Sequence, residues 1–124
     1  MKRQLPNSTR LYHALKAANQ LKSRFNGASF PAFSHDEDLQ DIVTRQFIII
    51  DEVANHVSDE LKKQHPDIEW QQVMRFRNFV IHKYFKVDLA IVRGTATHIV
   101  PALIEQLENA LLYIQQGETD SRNV

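Results

Sequence analysis

Three side chains in one short stretch have the chemistry to cut a phosphodiester: Arg77, His82 and Tyr84, within Arg75-Phe76-Arg77-Asn78-Phe79-Val80-Ile81-His82-Lys83-Tyr84-Phe85-Lys86. An imidazole exchanges protons near neutral pH, so His82 suits general acid or base work. A guanidinium holds a phosphate through two parallel hydrogen bonds and steadies the charge that grows on it, which suits Arg77. Tyr84 adds a hydroxyl. Lys83, Lys86 and Arg75 add positive charge, and no acid lies between residues 70 and 87.

Spacing constrains how these groups meet. At 3.6 residues per turn, Arg77 and His82 point about 140° apart on an ideal helix. Asn78 and His82 share one face, and Arg77 and Tyr84 share another. One straight helix therefore does not converge all three. A site needs the reach of arginine, a distorted helix end, or the same array from a second chain across a two-fold axis, and the last option predicts a homodimer with its site in the interface cleft. The plain alternative is a helix with a surface His and Arg.

The remaining sequence must supply the scaffold. At 124 residues, with 43% hydrophobic and 24% charged residues, the chain has the size and make-up of one globular domain. Three Gly and four Pro leave little punctuation for a many-turned β fold. The absence of Cys removes disulfides and thiol chemistry and fits a cytoplasmic setting. The longest apolar run, Phe47–Ile50, is far short of the roughly 20 residues a membrane span needs, and Met1-Lys2-Arg3 is not followed by the apolar core of a signal peptide.

Net charge is zero, but the charges are sorted. Residues 1–34 hold six Lys/Arg and no acid. Residues 35–70 carry a net −7, residues 71–98 a net +4 and residues 99–124 a net −3. Such a chain does not coat nucleic acid indiscriminately, although a local basic patch can hold phosphate.

Apolar periodicity predicts four or five antiparallel helices, an all-α bundle. Asn7 or Ser8 caps the first, whose stripe is Leu11, Leu15, Ala18, Leu21 and Phe25, and Gly27 ends it. Residues 27–34 form a connection. Ser34-His35-Asp36-Glu37 has the form of a capping box opening a long helix that runs to Leu61 and stops before Pro66. A third helix opens at Asp67 or Glu69 and reaches about Tyr84. Asp88 caps a fourth, which meets Gly94 and is kinked or restarted at Pro101. A final stripe from Leu103 to Ile114 ends at Gly117, giving one domain over 1–124 with a core of about 8–116 and a flexible tail over 117–124. Tyr12, Trp70 and Tyr113 are expected to pack. His13, His35, His56, His65 and His98 lack metal-ligand spacing, so neither a metal site nor a cofactor is expected.

The array resembles the Arg-x4-His-x-Tyr motif of HEPN-domain ribonucleases, and more closely the HepT toxins of HepT/MntA toxin–antitoxin pairs. The likeness covers roughly residues 10–112. It includes Ile50-Asp51-Glu52-Val53, where that family usually shows Gly-Glu-Ala, so that Asp51 stands for Gly and Val53 for Ala. It also includes His65-Pro66-Asp67-Ile68-Glu69-Trp70 before the motif, and Pro101 near the start of the last helix. The resemblance implies a HEPN bundle that dimerises so that two Arg77/His82 pairs line one cleft, and metal-independent endoribonuclease activity. Arg77 would bind the scissile phosphate, His82 would move the protons, and Asn78 would orient a phosphate oxygen or His82. Glu52 would support an arginine. The implied partner is an MntA-like nucleotidyltransferase antitoxin that silences the toxin by AMPylation of Tyr84. The alternative is a non-catalytic helical bundle that binds a nucleotidyltransferase.

Overall fold

Why the chain adopts a bundle is clearest in its first helix. The computed structural model describes residues 6–25, 29–75 and 89–122, and among them every regular element is a helix. Helix α1 (Asn7–Phe25) buries Leu11, Ala14, Ala17, Ala18, Leu21 and Phe25 along one side. Leu15 of the predicted stripe is half-buried, and Ala14 and Ala17 join Ala18 to widen it. Their small side chains let neighbouring helices approach closely, since interaxial distance is set by what stands at the contact.

Helix α1 packs against α3 (Glu37–His56) and against α7 (Val100–Arg122). Phe47 and Ile50 of α3 and Leu107 of α7 are among the largest fully buried side chains of the shared core. The shorter helices α2 (Phe30–Ser34), α4 (Asp59–Gln64), α5 (Trp70–Met74) and α6 (Leu89–His98) close its ends and edges. Phe33 of α2 plugs one end, with its ring 4.9 Å from that of Phe25 at 60°.

The all-α reading holds, with finer divisions than periodicity showed. Residues 30–34, read as connection, form a helix turn: Ser29 accepts a hydrogen bond from the Ala32 backbone at 3.2 Å, and Pro31 sits in the first turn. Ser34 therefore ends α2 and does not open α3. The cap of α3 is Asp36, whose carboxylate accepts from the Leu39 N–H at 3.0 Å. The Gln40 amide fastens the two helices by donating to the carbonyls of Phe33 and Ser34 at 3.0 and 3.2 Å.

The long helix expected to reach Leu61 breaks at Val57, which takes an extended conformation. Ser58 then caps α4 by accepting from the Leu61 N–H at 3.1 Å, with Asp59 and Glu60 in the first turn and Lys62 and Lys63 in the last. This arrangement complements the helix dipole at both ends. Apolar period alone misses the break because Ala54 before it, Val57 at it and Leu61 after it are all buried. Asn7 ties the start of α1 to this corner: its side-chain amide donates to Ser58 Oγ at 3.1 Å and accepts from the Ser58 N–H at 3.4 Å.

Pro101 marks a fresh start, as one of the two expected outcomes. Helix α6 ends at His98 and α7 begins at Val100, with the proline in its first turn, where its missing N–H costs nothing. Gly94 lies inside α6 without interrupting it, and α7 continues past Gly117 to Arg122. The predicted stop at Gly27, the cap at Asp88 and the break at Phe85-Lys86-Val87 lie outside the described residues.

Core and cap contributions separate by size. Phe47→Ala, which empties a fully buried site, should destabilise by about 3–5 kcal/mol. Asp36→Ala, which removes one cap, should cost about 1 kcal/mol. Urea unfolding followed by far-UV circular dichroism checks both values. Equal losses in the two variants would contradict this division.

Candidate functional site

The predicted site residues Arg77, Asn78, His82 and Tyr84 lie outside the described residues, as do Lys83 and Lys86. The structure does describe the approach to them. After α4, the chain turns through His65-Pro66-Asp67-Ile68-Glu69 into α5. The His65 carbonyl accepts twice, from the Ile68 N–H at 3.2 Å and from the indole Nε1–H of Trp70 at 3.2 Å. The Trp70 backbone N–H donates to the Ile68 carbonyl at 2.8 Å. Ile68 is fully buried and Val73 follows it into the core, where α5 packs on α3. These contacts fix the course of the chain through α5 to Arg75.

Trp70 thus packs, as expected, and also bonds. Of the two openings considered for this helix, Glu69 occupies the cap position, without a side-chain cap bond. Arg75, the last described residue before the array, is exposed, and its N–H is shared between the carbonyls of Gln71 and Gln72 at 3.2 and 3.1 Å.

Three successive residues of α3 sit in different surroundings. Asp51 is half-buried and accepts from the Asn55 amide at 3.1 Å. Val53 is buried in the core and fills space that a smaller residue would leave. Glu52 is exposed and faces a groove between α1 and α3. Its carbonyl accepts from His56 Nδ1 at 2.7 Å.

That groove encloses about 570 Å³. Its walls include His13, Lys16, Gln20 and Arg24 from α1, with Arg45 and Glu52 from α3. The four α1 residues recur at intervals of three, four and four, so they form one helix face. Sequence reasoning gave no role to this face, although that spacing and the acid-free first 34 residues both signal it. A second hollow of about 320 Å³ borders α5, with Glu69, Gln72, His98 and Gln106 among its lining.

Two expectations about aromatic residues change. Tyr12 and Tyr113 do not pack inside: they are 57% and 60% exposed, on the outer faces of α1 and α7. Tyr113 stands edge-on to His65, with ring centroids 5.4 Å apart at 81°. Among the described residues no group of three or more His, Cys, Asp or Glu is placed to hold a metal ion, and no helix is long and apolar enough to cross a membrane.

Residues 14–110 match the family model described as "Ribonuclease HepT-like". The chain is 33% identical over 79 residues to the "Probable ribonuclease HepT" of Thermococcus cleftensis, covering 64% of this chain and 72% of that one. It is 30% identical over 101 residues to the "Putative RNase TTE0752" of Caldanaerobacter subterraneus subsp. tengcongensis, covering 82% and 90%. It is 24% identical over 98 residues to the "Putative RNase MJ1380" of Methanocaldococcus jannaschii, covering 79% and 90%. No solved structure matches the chain.

Trp70→Phe keeps an aromatic ring but deletes the bond to His65. The loss should be about 1 kcal/mol of stability, the usual net worth of one such bond, read as a lowered urea midpoint at unchanged slope. An unchanged midpoint would show that the indole N–H does not hold this turn.

Proposed function

The chain belongs to the HepT-like ribonuclease family, and from that premise we propose that it is a metal-independent endoribonuclease toxin whose working groups are Arg77 and His82. The observation that carries this reading is that the family match runs across residues 77–84, where the chain presents arginine, histidine and tyrosine at the motif spacing.

The proposed reaction is an internal transesterification of RNA. His82 takes the proton of the ribose 2′-OH, and the resulting oxyanion attacks the adjacent phosphorus. The bond to the 5′-oxygen breaks, and that oxygen leaves with a proton supplied by an imidazolium. The products are a 2′,3′-cyclic phosphate and a 5′-hydroxyl. Arg77 holds the phosphate oxygens and opposes the negative charge as it concentrates on them. Asn78 shares a face with His82 and orients it or a phosphate oxygen. Because Arg77 and His82 diverge on a straight helix, two subunits in a homodimer combine their arrays around one cleft.

Control is proposed to come from a nucleotidyltransferase antitoxin of MntA type. The phenol oxygen of Tyr84 displaces pyrophosphate from ATP and becomes an AMP ester. A phosphodiester two residues from His82 adds bulk and negative charge beside the cleft and repels RNA phosphates.

Two measurements test these points. Purified protein in EDTA should cleave single-stranded RNA, and His82→Ala should lower the rate by about 10²-fold or more, the scale of a lost proton-transfer group. Equal rates in the two proteins would overturn the enzyme reading. Co-expression with an MntA-type nucleotidyltransferase encoded beside this chain should raise the intact mass by whole AMP units that Tyr84→Phe abolishes. An adduct that persists in Tyr84→Phe would place the modification elsewhere.

A further inference from the structure

The groove between α1 and α3 lies outside the Arg77/His82 array, and its chemistry is that of a polyanion site. Lys16 and Arg24 project from α1 and Arg45 from α3, with His13 beside them and Gln20 and Gln46 supplying neutral hydrogen-bonding groups. All three cations are exposed or line the open mouth, and no ion pair within the described residues neutralises them. Among the described residues Glu52 is the sole acid on the lining.

The geometry points to this groove as a track for the RNA backbone, an extended contact for substrate beyond the phosphate being cut. The inference rests on the ribonuclease reading. Three features support it. First, from His13 to Arg24 the α1 face runs about 16 Å at 1.5 Å per residue, room for several phosphates of a stacked strand at about 3.4 Å each. Second, cations stand on both walls, so a strand lying in the groove meets positive charge from either side, while the half-buried Ile42 and Ile49 on its lining offer apolar surface to sugars and base edges. Third, the zero net charge of the chain gives no general attraction for nucleic acid, so a local concentration of cations is where a strand would gain binding energy. The first 34 residues, with six Lys/Arg and no acid, furnish most of that charge.

The test is equilibrium binding of a fluorescein-labelled single-stranded 20-nucleotide RNA, read by anisotropy across a salt series, in a His82→Ala background that keeps the probe intact. The triple variant Lys16→Gln/Arg24→Gln/Arg45→Gln should bind at least about tenfold more weakly at 100 mM salt. Its log–log salt slope should fall by about 2, as three lost contacts to a single strand imply. Lys62→Gln/Lys63→Gln, the same chemistry on α4 away from the groove, should change affinity less than about twofold, as screened surface charges do. Unchanged affinity and slope in the triple variant, or an equal loss in the α4 pair, overturns the track. Unchanged RNA binding with an altered oligomeric mass by light scattering would make the groove an interface between copies and also overturn it. In those cases wild-type protein still cleaves RNA. Wild-type protein that neither binds nor cleaves RNA would overturn the ribonuclease reading and the track together.

Discussion

Helix α1 must satisfy two partners at once. Its buried side, from Leu11 to Phe25, has to fit α3 on one flank and α7 on the other, and three of its contact residues are alanines. A wider side chain at Ala14, Ala17 or Ala18 would push one neighbour away, because interiors are packed too densely to absorb added volume without backbone shifts. The rest of the bundle follows from this close approach. It sets the distance between α1 and α3, and hence the width of the groove between them. It also sets the base on which α3 receives α5 and the turn that leads to the Arg77 array.

How that turn is held bears on function. A short helix such as α5 has little stability of its own. Ile68 and Val73 anchor it apolarly, and the twice-used carbonyl of His65 anchors it by hydrogen bonding. Rigid support upstream matters for a phosphoryl-transfer site, where the catalytic contribution of a guanidinium or an imidazole depends on its position within fractions of an ångström. The proposed control by AMP uses the same placement, since a group added at Tyr84 interferes only if it lies beside the cleft.

Much of this was legible in the sequence. The stripes of α1 and α3 and the restart at Pro101 followed from period and from proline chemistry, and the family followed from the array together with the segment around Trp70. What escaped was local competition between signals of similar strength. Ser34 and Asp36 both had the chemistry to cap α3, and the choice fell to Asp36 because Ser29 and Pro31 built another turn that consumed Ser34. The break at Val57 was hidden because both sides of it face the core. Tyr12 and Tyr113 were misplaced because an aromatic ring on an amphipathic helix suits its interior and its flank alike. The basic groove that Glu52 helps to line was not apparent, because it is a surface made by two helices that no single segment displays.

In the proposed reaction the chain cleaves RNA through the 2′-hydroxyl, with protein groups alone moving the protons. The most direct measurement is the chemistry of the product ends formed in EDTA. Attack by the 2′-oxygen leaves 2′,3′-cyclic phosphate and 5′-hydroxyl termini, and makes no cut at a nucleotide whose 2′-hydroxyl is replaced by hydrogen. Products with 5′-phosphate and 3′-hydroxyl ends, or cleavage that survives removal of that 2′-hydroxyl, would contradict it.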